Sequence, residues 1–140
     1  MSAATRDPRT QKPGPDTDGG PGKHVVLILS SDAVAAALLG ALVETLGYLV
    51  RFYRPPEPPE IALRRERPSI ALIDCADPTL MKEDVLGRAR MRDISVVIFG
   101  TAEAMRGVRA LVAEHELDTL LMPVALDTLD EALRNAVKDC

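Results

Sequence analysis

The segment Arg67 to Pro78, RPSIALIDCADP, constrains the fold of this chain more than any other stretch. An unbroken apolar run, Ile70 to Ile73, stops at Asp74, and Pro78 follows four residues later. A run without polar alternation, bounded by Pro68 and a polar loop, suits a strand covered on both faces, the environment of a parallel sheet. In open α/β sheets the functional crevice lies at the carboxyl ends of such strands, so Asp74 is expected at its rim.

The rest of the chain supplies the partners that such a strand needs. His24 to Leu29 (HVVLIL) reads as a first buried strand, and Ser30, Ser31 and Asp32 follow it as helix-start residues. A helix is expected over Ala33 to Leu46, with Val34, Leu38, Ala41, Leu42 and Thr45 on one face and Gly47 as its stop. Tyr48 to Tyr53 gives a second strand, then the stiff RPPEPPE loop and a short helix around Glu60 to Glu66. After the third strand, Ile70 to Asp74, a helix falls within Leu80 to Met91 and a fourth strand spans Ser95 to Phe99. A helix over Glu103 to Glu114, a strand at Thr119 to Met122 and a last helix after Asp127 complete the pattern. Thr128 and Glu131 have capping-box spacing, and Leu129, Leu133 and Ala136 or Val137 recur at three-to-four spacing. Five strands alternating with five helices imply right-handed crossovers and an α/β, flavodoxin-like, doubly wound parallel sheet of order 2-1-3-4-5. Residues 24–140 are expected to form this one domain, with no output domain among them.

Residues 1–23 contain Pro8, Pro13, Pro15 and Pro21, four glycines and almost no large apolar side chain. Such a segment cannot bury enough surface to offset its ordering entropy and is expected to be a disordered tail. The net charge of −4 argues against a broad nucleic-acid footprint, and aromatic content of 3% argues against a stacking platform. The arginine groups (Arg64, Arg65, Arg67; Arg88, Arg90, Arg92) are interleaved with acids and read as solvated helix faces. No apolar stretch is long enough to span a bilayer, and Cys75 and Cys140 form no CxxC pair or disulfide framework. A soluble, cytoplasmic protein that binds neither membrane nor nucleic acid is expected.

Several local phrases carry a resemblance: LGYLVRF after the first helix, RPSIALID at the third strand, a D-x-x-x-P loop, and IFGTA at the fourth strand. Over roughly His24 to Val137 the layout resembles the receiver domain of response regulators. That family accepts a phosphoryl group from a histidine kinase on its strand-three aspartate. Mg²⁺, held by an acidic pair after strand one, bridges the aspartate and the phosphoryl oxygens. A strand-five lysine neutralises phosphoryl charge. A strand-four Thr or Ser and a strand-five aromatic relay the change.

Carried onto this sequence, the resemblance places the phosphoacceptor at Asp74 and the switch positions at Thr101 and Thr119, where Thr119 replaces the aromatic. The acidic pair falls on Ser30 and Ser31, and the lysine falls on Met122, just before Pro123. Neutral hydroxyls bind Mg²⁺ weakly, and methionine carries no charge. A charge pair at about 4 Å is worth about 4 kcal/mol at an effective dielectric of 20, so losing the metal and the ammonium together would slow transfer by several powers of ten. The resemblance with these departures implies a pseudo-receiver: a non-enzymatic, stand-alone signalling module without cofactor that acts by binding protein. The alternative is an active single-domain regulator phosphorylated on Asp74, with Asp32 as a substitute Mg²⁺ ligand. A small-molecule-binding or enzymatic domain of the same fold is a third class, weakened because the strand-one turn lacks glycine and no P-loop or GxGxxG occurs.

The remaining residues have plain readings. Asp74 can serve as a fixed acceptor for nearby amides, and Thr101 can cap the following helix. Cys75, expected in an exposed loop, has an acidic neighbour that raises its pKa and disfavours a redox role. His24 and His115 have no partner at ligand spacing, so no metal site is expected. Pro55, Pro56, Pro58 and Pro59 read as a rigid turn rather than a polyproline ligand.

Receivers commonly self-associate through the face of helix four, strand five and helix five. Here that face holds Met105, Arg106, Val108, Arg109, Val112 and Thr119, with Asp130 and Glu131 as complementary acids for a two-fold contact. The first helix is a second option, because Ala33, Ala35, Ala36, Leu39 and Val43 make it apolar nearly all round. A homodimer through one of these faces is expected.

Overall fold

The computed structural model describes residues 24–138, and the expected tail over 1–23 lies outside the described residues. The chain runs β1 (Val25–Leu29), α1 (Ala33–Thr45), β2 (Leu49–Phe52), α2 (Pro59–Glu66), β3 (Ile70–Asp74) and α3 (Glu83–Met91). It continues through β4 (Ser95–Gly100), α4 (Ala102–Arg106), α5 (Arg109–Glu114), β5 (Asp118–Leu121) and α6 (Leu126–Lys138). The strands form one parallel five-stranded sheet in the order β2-β1-β3-β4-β5, as the alternating pattern predicts.

β3 occupies the centre because it can be buried on both sides. All five of its residues are buried, with Leu72 registered against Ile28 of β1 and Val97 of β4. Alternate side chains then feed two cores. One face carries Val26, Ile28, Ile70, Leu72, Val97 and Phe99 against α1 and α6. The other carries Leu27, Leu29, Ala71, Ile73 and Ile98 against α2 and α3. Each fully buried leucine or isoleucine contributes about 1.5–3 kcal/mol, so the centre of the sheet is its most stable part.

Several elements differ from the sequence expectation. On α1 the faces are exchanged: Ala36, Leu39, Gly40 and Val43 point into the core, whereas Val34 and Leu38 are 70% and 64% exposed. A helix apolar on every side gives periodicity nothing to choose between, and close approach decides instead. Gly40 lies under the Phe52 ring, where a Cβ would come within 2.7 Å of Cζ. Leu39 and Val43 are therefore core residues and not part of an interface.

The single helix expected over Glu103 to Glu114 is two short ones, broken at Gly107 and Val108. Glycine is a poor helix interior residue, and no residue of α4 or α5 is fully buried to compensate. α6 begins at Leu126, so Thr128 and Glu131 sit inside it rather than forming its cap. The prolines open α2: Pro59 is its first residue, where the missing N–H costs nothing.

Candidate functional site

The carboxyl ends of β1 and β3 emerge side by side, which brings the β1–α1 loop against the β3–α3 loop. Two serine hydroxyls on the first loop meet two carboxylates on the second. Ser30 Oγ donates to Asp74 Oδ2 at 2.7 Å, and Ser31 Oγ donates to Asp77 Oδ2. Ser30, Asp74 and Asp77 are all buried.

The opposite oxygens of both carboxylates are also engaged. Asp74 Oδ1 accepts from the Ala76 amide at 2.9 Å. Asp77 Oδ1 accepts from the Thr79 amide at 3.0 Å and from Thr79 Oγ1 at 2.6 Å. Every carboxylate oxygen of the pair thus has a donor, as buried anions require. Burial pushes the Asp77 carboxyl up, but the hydrogen bonds from Ser31 and Thr79 outweigh it and leave the pKa below the ordinary aspartate value.

The first loop is fixed from its own side. The Asp32 amide donates to Ser30 Oγ at 3.0 Å, and Asp32 caps α1 by accepting from the Val34 and Ala35 amides, both at 3.1 Å. Oδ1 of the exposed Asp32 is thus engaged by its helix.

The other positions of the resemblance have partners of their own. Thr101 is the N-cap of α4, its hydroxyl accepting from the Ala104 amide at 3.1 Å. Thr119 is exposed on the edge strand β5, registered against Ile98. Met122 is half-buried against the α1–α6 core, its amide donating to Gly100 O at 2.8 Å. At this rim the structure brings together Ser30 with Asp74 and Ser31 with Asp77.

Cys75 corrects the expectation of an exposed loop residue. It is buried, its amide donates to Phe99 O at 2.9 Å, and a Cβ built on Gly100 would lie 2.2 Å from its Sγ. Burial, together with the charge of Asp74, raises its thiol pKa, the opposite of a reactive thiolate.

Asp77 and Thr79 belong to the site although the resemblance assigns neither a role. Their Asp-Pro-Thr spacing is that of a turn in which a side chain accepts from the amide two residues on, and this is the signal that could have found them.

Of the outlying candidate interface, Arg106 and Arg109 are exposed, whereas Met105, Val108 and Val112 are half-buried against the α2–α3 core. Among the described residues no helix is long and apolar enough to cross a membrane.

No protein-family model and no curated protein matches the sequence. Solved structures do match. The receiver domain of a Pseudomonas aeruginosa sensor histidine kinase, described with magnesium in its active-site cleft, aligns with a TM-score of 0.67 at 20% identity, over 82% of this chain and 98% of its own. A Burkholderia pseudomallei protein named for pilus assembly aligns with a TM-score of 0.66 at 23% identity, over 86% and 93%. The receiver domain of a Desulfovibrio desulfuricans diguanylate cyclase aligns with a TM-score of 0.65 at 25% identity, over 82% and 94%. The fold is that of response-regulator receiver domains.

Proposed function

We propose that this chain is a pseudo-receiver, a signalling module that works by binding protein without phosphorylation. The observation that carries this reading is the pair of serine–aspartate hydrogen bonds across the loops. In the resemblance the corresponding region holds Mg²⁺ between carboxylates. Mg²⁺ needs hard oxygen ligands in near-octahedral array, several of them water. Here both oxygens of Asp74 and of Asp77 already accept hydrogen bonds, Asp32 caps α1, and the hydroxyls of Ser30 and Ser31 point their protons at the carboxylates. With both serine protons aimed inward and all four of their oxygens engaged, Asp74 and Asp77 do not fit the ion.

The two hydrogen bonds do structurally what the metal would do: they tie the loops together and shield two adjacent carboxylates. Asp74 on this reading is a structural acceptor. Output then comes from surfaces away from the rim. The exposed Arg106 and Arg109, with Glu131 exposed on α6, suit a protein partner or a second copy of this chain.

The direct test is intact-mass spectrometry after incubation with acetyl phosphate and Mg²⁺, with Asp74→Asn as control. The folded wild type is expected to gain no mass. A single added phosphoryl group, absent in the control, would overturn the proposal and establish an active regulator. The variant Ser30→Asp, Ser31→Asp, Met122→Lys is expected to be required for labelling.

A further inference from the structure

We propose that Glu83, Glu114 and His115 form a site for one divalent transition-metal ion of the zinc class, built from residues that take no part in the Asp74 rim. Glu83 is the first residue of α3, Glu114 the last of α5, and His115 the residue capping α5. One ligand atom from each lies within 4.8 Å of the others. Ligands of a tetrahedral zinc ion, at about 2.0–2.2 Å from the metal, stand about 3.4 Å from one another, so small rotations close the site. Both glutamates are exposed and free to make them.

A second observation is independent of that spacing. His115 Nε2 is shielded from solvent and has no hydrogen-bond partner. A shielded ring nitrogen without a partner is a cost that a bound ligand would remove. The histidine is held in place by its backbone: its amide donates to Leu111 O at 3.1 Å, and its carbonyl accepts from the Arg90 guanidinium. That contact occupies the neighbouring cation with the carbonyl.

Ligand chemistry selects the ion. Two carboxylates facing each other repel, and a divalent ion with one neutral imidazole brings the set to zero charge. Imidazole suits zinc, copper, iron and nickel, whereas magnesium and calcium favour all-oxygen sets. Three protein ligands leave a fourth position for water. The consequence is mechanical as well as chemical. α5 has no fully buried residue, and the ion would fasten its end to the start of α3. This inference is independent of whether Asp74 is phosphorylated.

Isothermal titration of the full chain with Zn²⁺, and with Mg²⁺ as comparison, tests the site. One zinc site is expected, with no comparable magnesium binding. Its affinity should fall at least tenfold in Glu83→Gln and in His115→Gln, and should persist in Cys140→Ser and His24→Gln. Hydrogen exchange of the amides over 109–115 should slow when zinc is added. Absence of zinc binding, zinc affinity unchanged in both Glu83→Gln and His115→Gln, or affinity lost only in Cys140→Ser would each overturn the proposal.

Discussion

At the scale of single residues the rim is governed by the cost of a buried carboxylate without donors. Ser30→Ala removes the donor to Asp74 Oδ2 inside a buried site. The loss should be about 1–3 kcal/mol, the penalty of a buried acceptor left unpaired, measured as a lower midpoint in urea. An unchanged midpoint would mean that water replaces the hydroxyl at no cost. Asp77 makes a second, pH-dependent statement. Its folded-state pKa is lowered because the Ser31 and Thr79 hydrogen bonds outweigh its burial. A lowered folded pKa gives stability that is present above the unfolded value, about 3.9, and lost as pH falls through the folded value. The stability difference between wild type and Asp77→Asn should therefore shrink as the pH drops below about 4. A difference that stays constant across that window would refute the assignment. The same residues explain what the sequence left hidden: Ser30 and Ser31 read as missing ligands, yet each is a donor whose acceptor is more than forty residues away.

At the scale of elements α1 separates pattern from packing. Its apolar residues predict a helix correctly, and the exchange of its faces comes from Ala36 and Gly40, whose small size lets the helix lie against the sheet and Phe52. Leu39→Ala should consequently cost about 2–5 kcal/mol, as buried leucine truncations do. Leu38→Ala should stay within about 0.5 kcal/mol, as surface substitutions do. Urea midpoints of the two variants measure the contrast, and equal losses would contradict a helix that buries Leu39 and exposes Leu38. The segment α4–α5 shows the opposite failure. Its helical pattern is real, but Gly107 and the lack of any fully buried side chain break one helix into two.

For the whole molecule, the two surfaces expected to meet a partner are the face of α4, α5 and α6 and the exposed side of α1. If the chain pairs through α4, α5 and α6, sedimentation velocity should show a concentration-dependent dimer that the combined Arg106→Glu and Arg109→Glu variant shifts to monomer. A dimer that survives both substitutions would move the contact to the exposed Val34 and Leu38 of α1.

The sequence by itself determined the architecture. Buried strands and amphipathic helices write their periods into consecutive residues, so the alternation of elements and the position of Asp74 at the sheet rim could be read from local runs, and the order 2-1-3-4-5 came with the fold class they suggested. Only the tertiary structure decided which serine serves which carboxylate, which face of α1 is inside, that Cys75 is buried, and that Glu83 stands beside His115. Each of these depends on atoms brought together from distant parts of the chain, where hydrogen bonding and close packing choose among arrangements that the local pattern leaves equal.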